Sequence, residues 1–176
     1  MRELMSTTEE LFAAAIEAMP ESVSASLRRP ARSGAIRVVN ERIEAQLSVG
    51  EIPDDMAALW LMHDGQREGA DVFPEFAFLP IGQAISEYSE LCYLQSEIDA
   101  AEADGYPPEK EFWENWYDPV LFPIGWTPGG SGCLFLIHIE NGRIYRFNPD
   151  GGIGSCCYQS VHELLARTAE HHKAER

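Results

Sequence analysis

The feature that most constrains the fold is a pair of apolar segments joined by a turn. Residues 134–139 (LFLIHI) and 143–147 (RIYRF) surround Asn141 and Gly142, the residue pair that most readily supplies the two positive φ angles of a tight hairpin turn. The sequence therefore predicts a β-hairpin. A third strand is predicted over residues 120–126, interrupted by Pro123, and the resulting meander needs a layer of helices over one face to be stable.

Helical patterns before and after this meander supply that layer. Apolar residues recur every three or four positions in several segments, and each segment has start or stop signals of the usual kind. Capping-box patterns stand at the start of the first helix, within residues 6–10, and of the last helix, at residues 160–163. The predicted helices cover about residues 8–19, 33–50, 53–65, 81–105 and 160–170. The resulting fold class is α+β, a mainly antiparallel sheet of about five to six strands flanked by helices. We expect one domain over residues 30–170, preceded by a helix and connector (1–29) and followed by a frayed tail (171–176).

The charge balance limits the classes of partner. The chain has 13 Lys and Arg against 29 Asp and Glu, a formal net charge of −16. A charge of this sign opposes close approach to nucleic acid phosphates and to anionic lipid, so no nucleic acid or membrane partner is predicted. A basic protein is the natural complement. The alternative interpretation is that the acidity serves solubility alone.

The lack of a recognisable targeting signal and the spacing of the cysteines both indicate a cytoplasmic protein. The apolar block at residues 11–16 is short and flanked by glutamates, so it lacks the apolar region of a secretory signal. The four cysteines, including the adjacent pair Cys156 and Cys157, show no CxxC motif and no regular framework. We therefore expect reduced and mostly buried thiols, with redox activity of the adjacent pair left open.

The groups that could carry chemistry have simpler structural explanations. His63 and Asp64 are adjacent at a predicted helix end, where their side chains diverge and Asp64 is expected to bond the local backbone. The glycine-rich segment 127–132 is followed by a strand, whereas a phosphate-binding loop precedes a helix. His171 and His172 lie too close to the end of the last helix to form a convincing ligand set. No catalytic residue, cofactor site or metal site is predicted.

Acidic and aromatic residues in two segments are the predicted partner-binding set. Trp116 and Tyr117 are large rings of the types that dominate binding energy at interfaces, and acidic residues stand beside them. A second acidic segment follows Gly65. The predicted partner-binding residues are Trp116, Tyr117, Asp118, Glu114, Asp64, Glu68 and Asp71. Core packing of the rings and simple solvation of the acidic loop, which also includes Glu75, are the competing explanations.

Several stretches, taken in order, resemble the SUKH superfamily, named in part for the fungal cell-wall assembly regulators of the Smi/Knr type. The first is a proline-led helix ending in His-Asp-Gly (residues 52–66, IPDDMAALWLMHDGQ). The others are the step into a helix at Phe78-Leu-Pro-Ile81, the segment Phe122-Pro-Ile-Gly125, and the closing Asn141-Gly142-Arg-Ile-Tyr145. The resemblance covers about residues 30–169.

The resemblance implies an α+β domain and a function. Bacterial members of that superfamily are immunity proteins, which bind and neutralise a cognate polymorphic toxin, often a nuclease or another enzyme. We therefore expect a non-enzymatic immunity protein whose acidic, aromatic-bearing surface covers a basic toxin domain. The alternative is an interaction or scaffold module in cell-envelope assembly or signalling, closer to the fungal branch.

Overall fold

A computed structural model describes residues 2–67, 71–105, 116–127 and 132–175, with side chains from Thr7 onward. The described helices are α1 (Arg2–Ala18), α2 (Glu21–Ser24), α3 (Ser33–Leu47), α4 (Asp54–Met62), α5 (Ile81–Ala103) and α6 (Val161–Ala174). The strands are β1 (Ala77–Phe78), β2 (Leu121–Trp126), β3 (Leu134–His138), β4 (Ile144–Asn148) and β5 (Gly152–Tyr158). The predicted α+β fold, an antiparallel sheet flanked by helices, is confirmed.

The sheet is an antiparallel meander in chain order, β1-β2-β3-β4-β5. The predicted hairpin is β3 and β4, with Ile137 opposite Ile144. Its turn differs from the predicted one, because in the loop of residues 139–142 only Gly142 has a positive φ, at 70°. Asn141 acts through its side chain, whose Oδ1 accepts a hydrogen bond from the backbone N–H of Arg143 at 3.0 Å. A four-residue loop with one left-handed glycine therefore replaces the two-residue turn.

Pro123 interrupts β2 as the sequence predicts. The register between β2 and β3 shifts between Pro123 and Gly125, a bulge that accommodates a residue without a backbone N–H. Gly125 is needed here for space, since a Cβ at this position would lie 2.0 Å from Cδ2 of Phe76. The Phe76 ring stacks on Phe135 with 4.1 Å between the ring centroids. The short strand β1 is thereby held at one edge of the sheet.

Helix α1 packs on the domain instead of standing apart from it. It contacts α4 and α6, and its side chains Phe12 and Ala15, with Met19 just after its end, are buried in the common core. The helix begins at Arg2, so Thr8 is inside the helix and the capping role expected near this position is wrong. Thr8 is instead fully buried, and its hydroxyl donates to Oδ1 of Asp55 at the start of α4.

Helix α6 begins with the predicted capping box. The N–H of Glu163 donates to Oγ of Ser160 at 3.1 Å, and Oε2 of Glu163 accepts from the N–H of Gln159 at 2.7 Å. The prediction of a frayed tail from residue 171 is wrong, because the helix continues to Ala174. The reason is that its buried face extends to His172, which is 2% exposed.

Aromatic rings fill the space between the helices and the sheet. Trp60 of α4 is fully buried, stacks near Phe78 of β1, and donates its indole N–H to the carbonyl of Leu79 at 2.9 Å. The buried indole N–H of Trp60 therefore has a hydrogen-bond acceptor. Among the described residues, no helix has both the length and the apolar character that crossing a membrane requires.

Candidate functional site

The two predicted aromatic anchors lie in the core. Trp116 is 6% exposed and Tyr117 is 3% exposed. Both rings pack edge-on against Phe147 of β4. The indole N–H of Trp116 donates to the carbonyl of Pro149 at 2.9 Å, and the Tyr117 hydroxyl donates to the carbonyl of Leu121. The prediction that these rings are exposed anchors is wrong, because β4 offers them an apolar partner and the neighbouring backbone offers acceptors.

The described acidic residues of the predicted set contact different parts of the structure. Oδ1 of Asp64 accepts from the N–H of Ile81, the first residue of α5, at 2.8 Å. Oδ1 of Asp118 accepts from the N–H of Val120 at 3.0 Å. Asp71 is exposed and interacts electrostatically with His171. Glu68 and Glu114 lie outside the described residues. Asp64 thus bonds backbone as expected, but at the distant start of α5 and not in its own loop. The described members of the set do not form one patch.

A different group of residues forms an acidic groove. The groove has a volume of about 590 Å³ and lies between the turn at Pro74 and Glu75, the end of β5, and the outer face of α6. The carboxylates of Glu75, Glu163 and Glu170 line it together with a single guanidinium, that of Arg167. Arg167 lies 3.7 Å from Glu170, and both side chains are well exposed, so this pair leaves most of the groove's negative potential in place. We call this feature the acidic groove.

The turn that presents Glu75 is under backbone strain. Glu75 has a φ of 70°, a value that L residues rarely adopt. Phe73 and Phe76 exchange backbone hydrogen bonds at 3.3 Å on either side of Pro74 and Glu75. Proline followed by a residue of positive φ is the pattern of a type II turn, in which glycine normally occupies the second place. The chain therefore holds a carboxylate at the groove at a cost of about 1–2 kcal/mol.

Tyr158 and Cys157 report the environment of the acidic groove. Burial raises the pKa of Tyr158 to about 12, and the negative charges of Glu75 and Glu163 add to the effect. Burial is also the main cause of a raised pKa at Cys157, where the charges of Cys156 and Glu75 act in the same direction. A raised pKa disfavours the thiolate, the form that reacts in redox chemistry. The groove therefore presents a neutral phenol and a neutral thiol beside its carboxylates.

The strand β5 forms the sheet edge beside the groove. Among the described strands, β5 stands last in the sheet order and pairs only with β4. Most of its side chains are exposed or half-buried. An edge strand offers backbone N–H and C=O groups to an extended peptide, which can add to the sheet as a further strand.

A second concave site, the arginine pocket, has the opposite charge. It has a volume of about 600 Å³ and is lined by Arg28, Arg29, Arg32, Arg67 and Asp64. Within the described part of the chain, none of these four arginines forms an ion pair. The sequence predicts a solvated basic connector here. The connector is instead fixed by backbone hydrogen bonds.

Those backbone hydrogen bonds join the connector to the end of α4 and the loop after it. The N–H of Arg28 donates to the carbonyl of Gly65 at 3.0 Å, and the N–H of Ala31 donates to the carbonyl of Trp60 at 2.9 Å. The N–H of Asp64 donates back to the carbonyl of Arg29 at 3.0 Å. The pocket therefore has a rigid wall.

Thr8, Asp55 and His162 form a cluster that could be mistaken for a catalytic triad. Oγ1 of Thr8 lies 2.9 Å from Nε2 of His162, and Oδ1 of Asp55 lies 3.3 Å from the same nitrogen. In a triad the nucleophile and the carboxylate bond opposite nitrogens of the imidazole. Here both meet Nε2, and Thr8 is fully buried. The cluster is a set of polar contacts that joins α1, α4 and α6.

Sequence reasoning named Glu75 as part of an acidic loop but did not single out the acidic groove or the arginine pocket. Glu163 and Arg167 are one helical turn apart, which is a usable signal, whereas their proximity to Glu75 and Tyr158 depends on tertiary structure.

Comparison with known proteins gives no further guide, because no family model matches the chain and no curated protein shows significant similarity to it.

Proposed function

We propose that this protein is a non-enzymatic immunity protein that binds a bacterial polymorphic toxin through the acidic groove. The observation that carries the proposal is the convergence of Glu75, Glu163 and Glu170 on one groove in a chain of net charge −16. A basic segment of the toxin, from a nuclease or another enzyme, occupies the groove. Because that segment is covered, the toxin cannot engage its own substrate.

Electrostatics favours a partner of this kind. The negative field of the whole chain accelerates encounter with a cationic surface, and the groove then selects which segment of that surface docks. The neutral hydroxyl of Tyr158 adds a hydrogen-bonding group on a largely apolar ring, a combination common at interfaces. Backbone pairing along β5 gives a route to affinity that does not depend on the toxin's side chains.

The family resemblance and the fold support the same proposal. The ordered motifs of residues 30–169 resemble a superfamily with bacterial immunity proteins among its members. The α+β architecture that the resemblance implies is the architecture of this chain. We further propose that the protein acts in the cytoplasm, where it would meet a toxin delivered by a competing cell.

The contacts of the titratable groups support a binding role over catalysis. Asp64 bonds the start of α5, Glu163 caps α6, and the buried Thr8 joins the half-buried Asp55 and His162. Each of these groups thus has a structural partner in the described residues. We propose on this basis that the chain performs no reaction of its own.

The test is co-expression with the toxin that we expect to be encoded beside this gene. The wild-type protein should restore growth and should co-elute with the toxin from a sizing column. A variant carrying Glu75→Gln, Glu163→Gln and Glu170→Gln should stay folded, since glutamine keeps the capping geometry at position 163, and should lose protection. Cell death in the presence of soluble wild-type protein, without a complex, would refute the immunity function. Full protection by the triple variant would refute the acidic groove as the docking site.

A further inference from the structure

We propose that His171, His172 and Glu175, at the C-terminal end of α6, form a binding site for a divalent transition-metal ion of the zinc type. One donor atom from each of the three side chains lies within 4.8 Å of the others. Imidazole and carboxylate together are a donor set that suits zinc and its neighbours in the first transition row. The site adjoins the acidic groove, which His171 also lines.

The strongest support is a buried nitrogen that lacks a hydrogen-bond partner among the described residues. His172 is 2% exposed, and its Nε2 lies 3.0 Å from the carbonyl oxygen of Val72. Because a carbonyl can only accept a hydrogen bond, Nε2 carries the proton, and neutral His172 has a lone pair on Nδ1. That Nδ1 is buried and has no hydrogen-bond partner among the residues that the structure describes. A buried acceptor of this kind carries a free-energy cost that a bound cation would remove.

The geometry around this nitrogen suits a cation. Oε2 of Glu175 lies 3.7 Å from Nδ1 of His172, and Oε1 of Glu175 lies 3.5 Å from Nε2 of His171. In a tetrahedral zinc site, bonds of about 2.0–2.1 Å place neighbouring ligand atoms about 3.3 Å apart. These two separations exceed this value by a few tenths of an ångström, and the two histidine donors lie within 4.8 Å of each other. His171 and Glu175 are about half exposed, so their side chains can rotate to close the difference.

The surroundings supply the second layer of contacts that metal sites use. Ligating histidines typically donate their other ring N–H to a carbonyl or carboxylate, which fixes the tautomer. The Val72 carbonyl has this role for His172. Asp71, the residue before Val72, lies near His171. Burial raises the pKa of Asp71, and the smaller effect of His171 lowers it. Asp71 or a water molecule would complete the coordination.

The competing explanation is an ordinary ion pair. If His172 carried protons on both nitrogens, Nδ1 would face Glu175 as a cation and no metal would be needed. The two explanations predict different responses to metal. An ion pair leaves stability unchanged when zinc is added, whereas a metal site makes the unfolding temperature depend on zinc concentration.

The test uses the full chain, stripped with chelator and then titrated with zinc chloride. Calorimetry should give one ion per chain with a Kd of about 1 μM or tighter, and the unfolding temperature should rise with zinc. Cobalt(II) should give intense visible absorption bands of a tetrahedral site. His171→Ala and Glu175→Gln should each weaken zinc binding at least about 100-fold, since loss of an outer partner alone costs 10- to 100-fold.

The matched control is Glu44→Gln, an exposed carboxylate on α3 that lines neither the acidic groove nor the proposed metal site. It should bind zinc as the wild type does. Substoichiometric zinc binding would overturn the proposal, and so would equal affinity in the wild type, His171→Ala and Glu175→Gln. Because His171 and Glu175 are about half exposed, both variants should fold, and circular dichroism in chelator checks this. None of these measurements involves a toxin, so their outcome is independent of the proposed immunity function.

Discussion

The acidic groove and the arginine pocket are similar in volume and opposite in charge. The groove carries three carboxylates against one guanidinium, whereas the pocket carries four guanidiniums against the carboxylate of Asp64. A formal charge of −16 therefore conceals a strongly cationic site. The difference teaches that net charge predicts the long-range attraction of a partner, and that the local arrangement of side chains decides where the partner docks.

The two sites also differ in how they are held. The walls of the arginine pocket are fixed by backbone hydrogen bonds between the connector and the end of α4. The acidic groove depends on side chains with local tasks, a strained turn at Glu75 and a helix cap at Glu163. Substitutions can therefore remove charge from either site separately.

The largest expected effect is on affinity for a basic partner. Neutralising the groove with Glu75→Gln, Glu163→Gln and Glu170→Gln should weaken binding about 100-fold, or about 3 kcal/mol, because three favourable charge contacts are lost. The paired variant Arg28→Ala with Arg32→Ala should bind at least as tightly as the wild type. Surface plasmon resonance against the toxin measures both. An arginine variant that binds more weakly than the groove variant would reverse the assignment of the two sites.

The next effect is on stability and concerns the arginine pocket. Asp64→Ala should lower the free energy of unfolding by about 1–2 kcal/mol, because the N–H of Ile81 loses its acceptor at the start of α5. Asp64→Asn keeps an acceptor oxygen and should lose about half as much or less. Denaturant unfolding of the three proteins measures the difference. Equal loss in both variants would show that the negative charge among the arginines matters more than the hydrogen bond.

A smaller effect separates strain from function in the acidic groove. Glu75→Gly should raise the free energy of unfolding by up to about 1 kcal/mol, since glycine adopts the positive φ of this turn without strain. The same change should weaken binding of a basic partner several-fold. Glu75→Gln keeps the strain and removes the charge, so it should lose affinity at unchanged stability. A glycine variant that is less stable than the wild type would show that the turn is not strained.

The smallest effect uses Tyr158 as a reporter of groove charge. Its pKa of about 12 lies above the ordinary value of 10.0, so the stability it contributes is complete below pH 10 and is lost as the pH rises through 12. Glu75→Gln or Glu163→Gln should lower this pKa by a few tenths of a unit, and Arg28→Ala should leave it unchanged. Absorbance titration of tyrosinate, with Tyr158→Phe as the reference, measures the shift. No change in either glutamine variant would indicate that burial alone sets the pKa.

The local elements were predictable because their signals are local. Gly142 and its flanking apolar strands predicted the hairpin, and Ser160 with Glu163 predicted the start of α6. The burial of Trp116 and Tyr117 was not predictable, because it depends on their packing against Phe147 of β4. The groove likewise joins Glu75 to Glu163 across the fold, which no sequence spacing encodes. Charge composition predicts the kind of partner, a basic protein, without saying where the charges lie on the surface. Their location depends on tertiary structure.

The close approach of Phe76 to Gly125 links two positions that are far apart in sequence. Because the ring occupies the volume that a Cβ at position 125 would need, no residue larger than glycine fits at 125 while Phe76 stays in place. Among descendants of this chain, a larger residue at 125 should be found together with a smaller one at 76. Such paired replacement would mark the lineages in which the edge strand β1 has been repositioned.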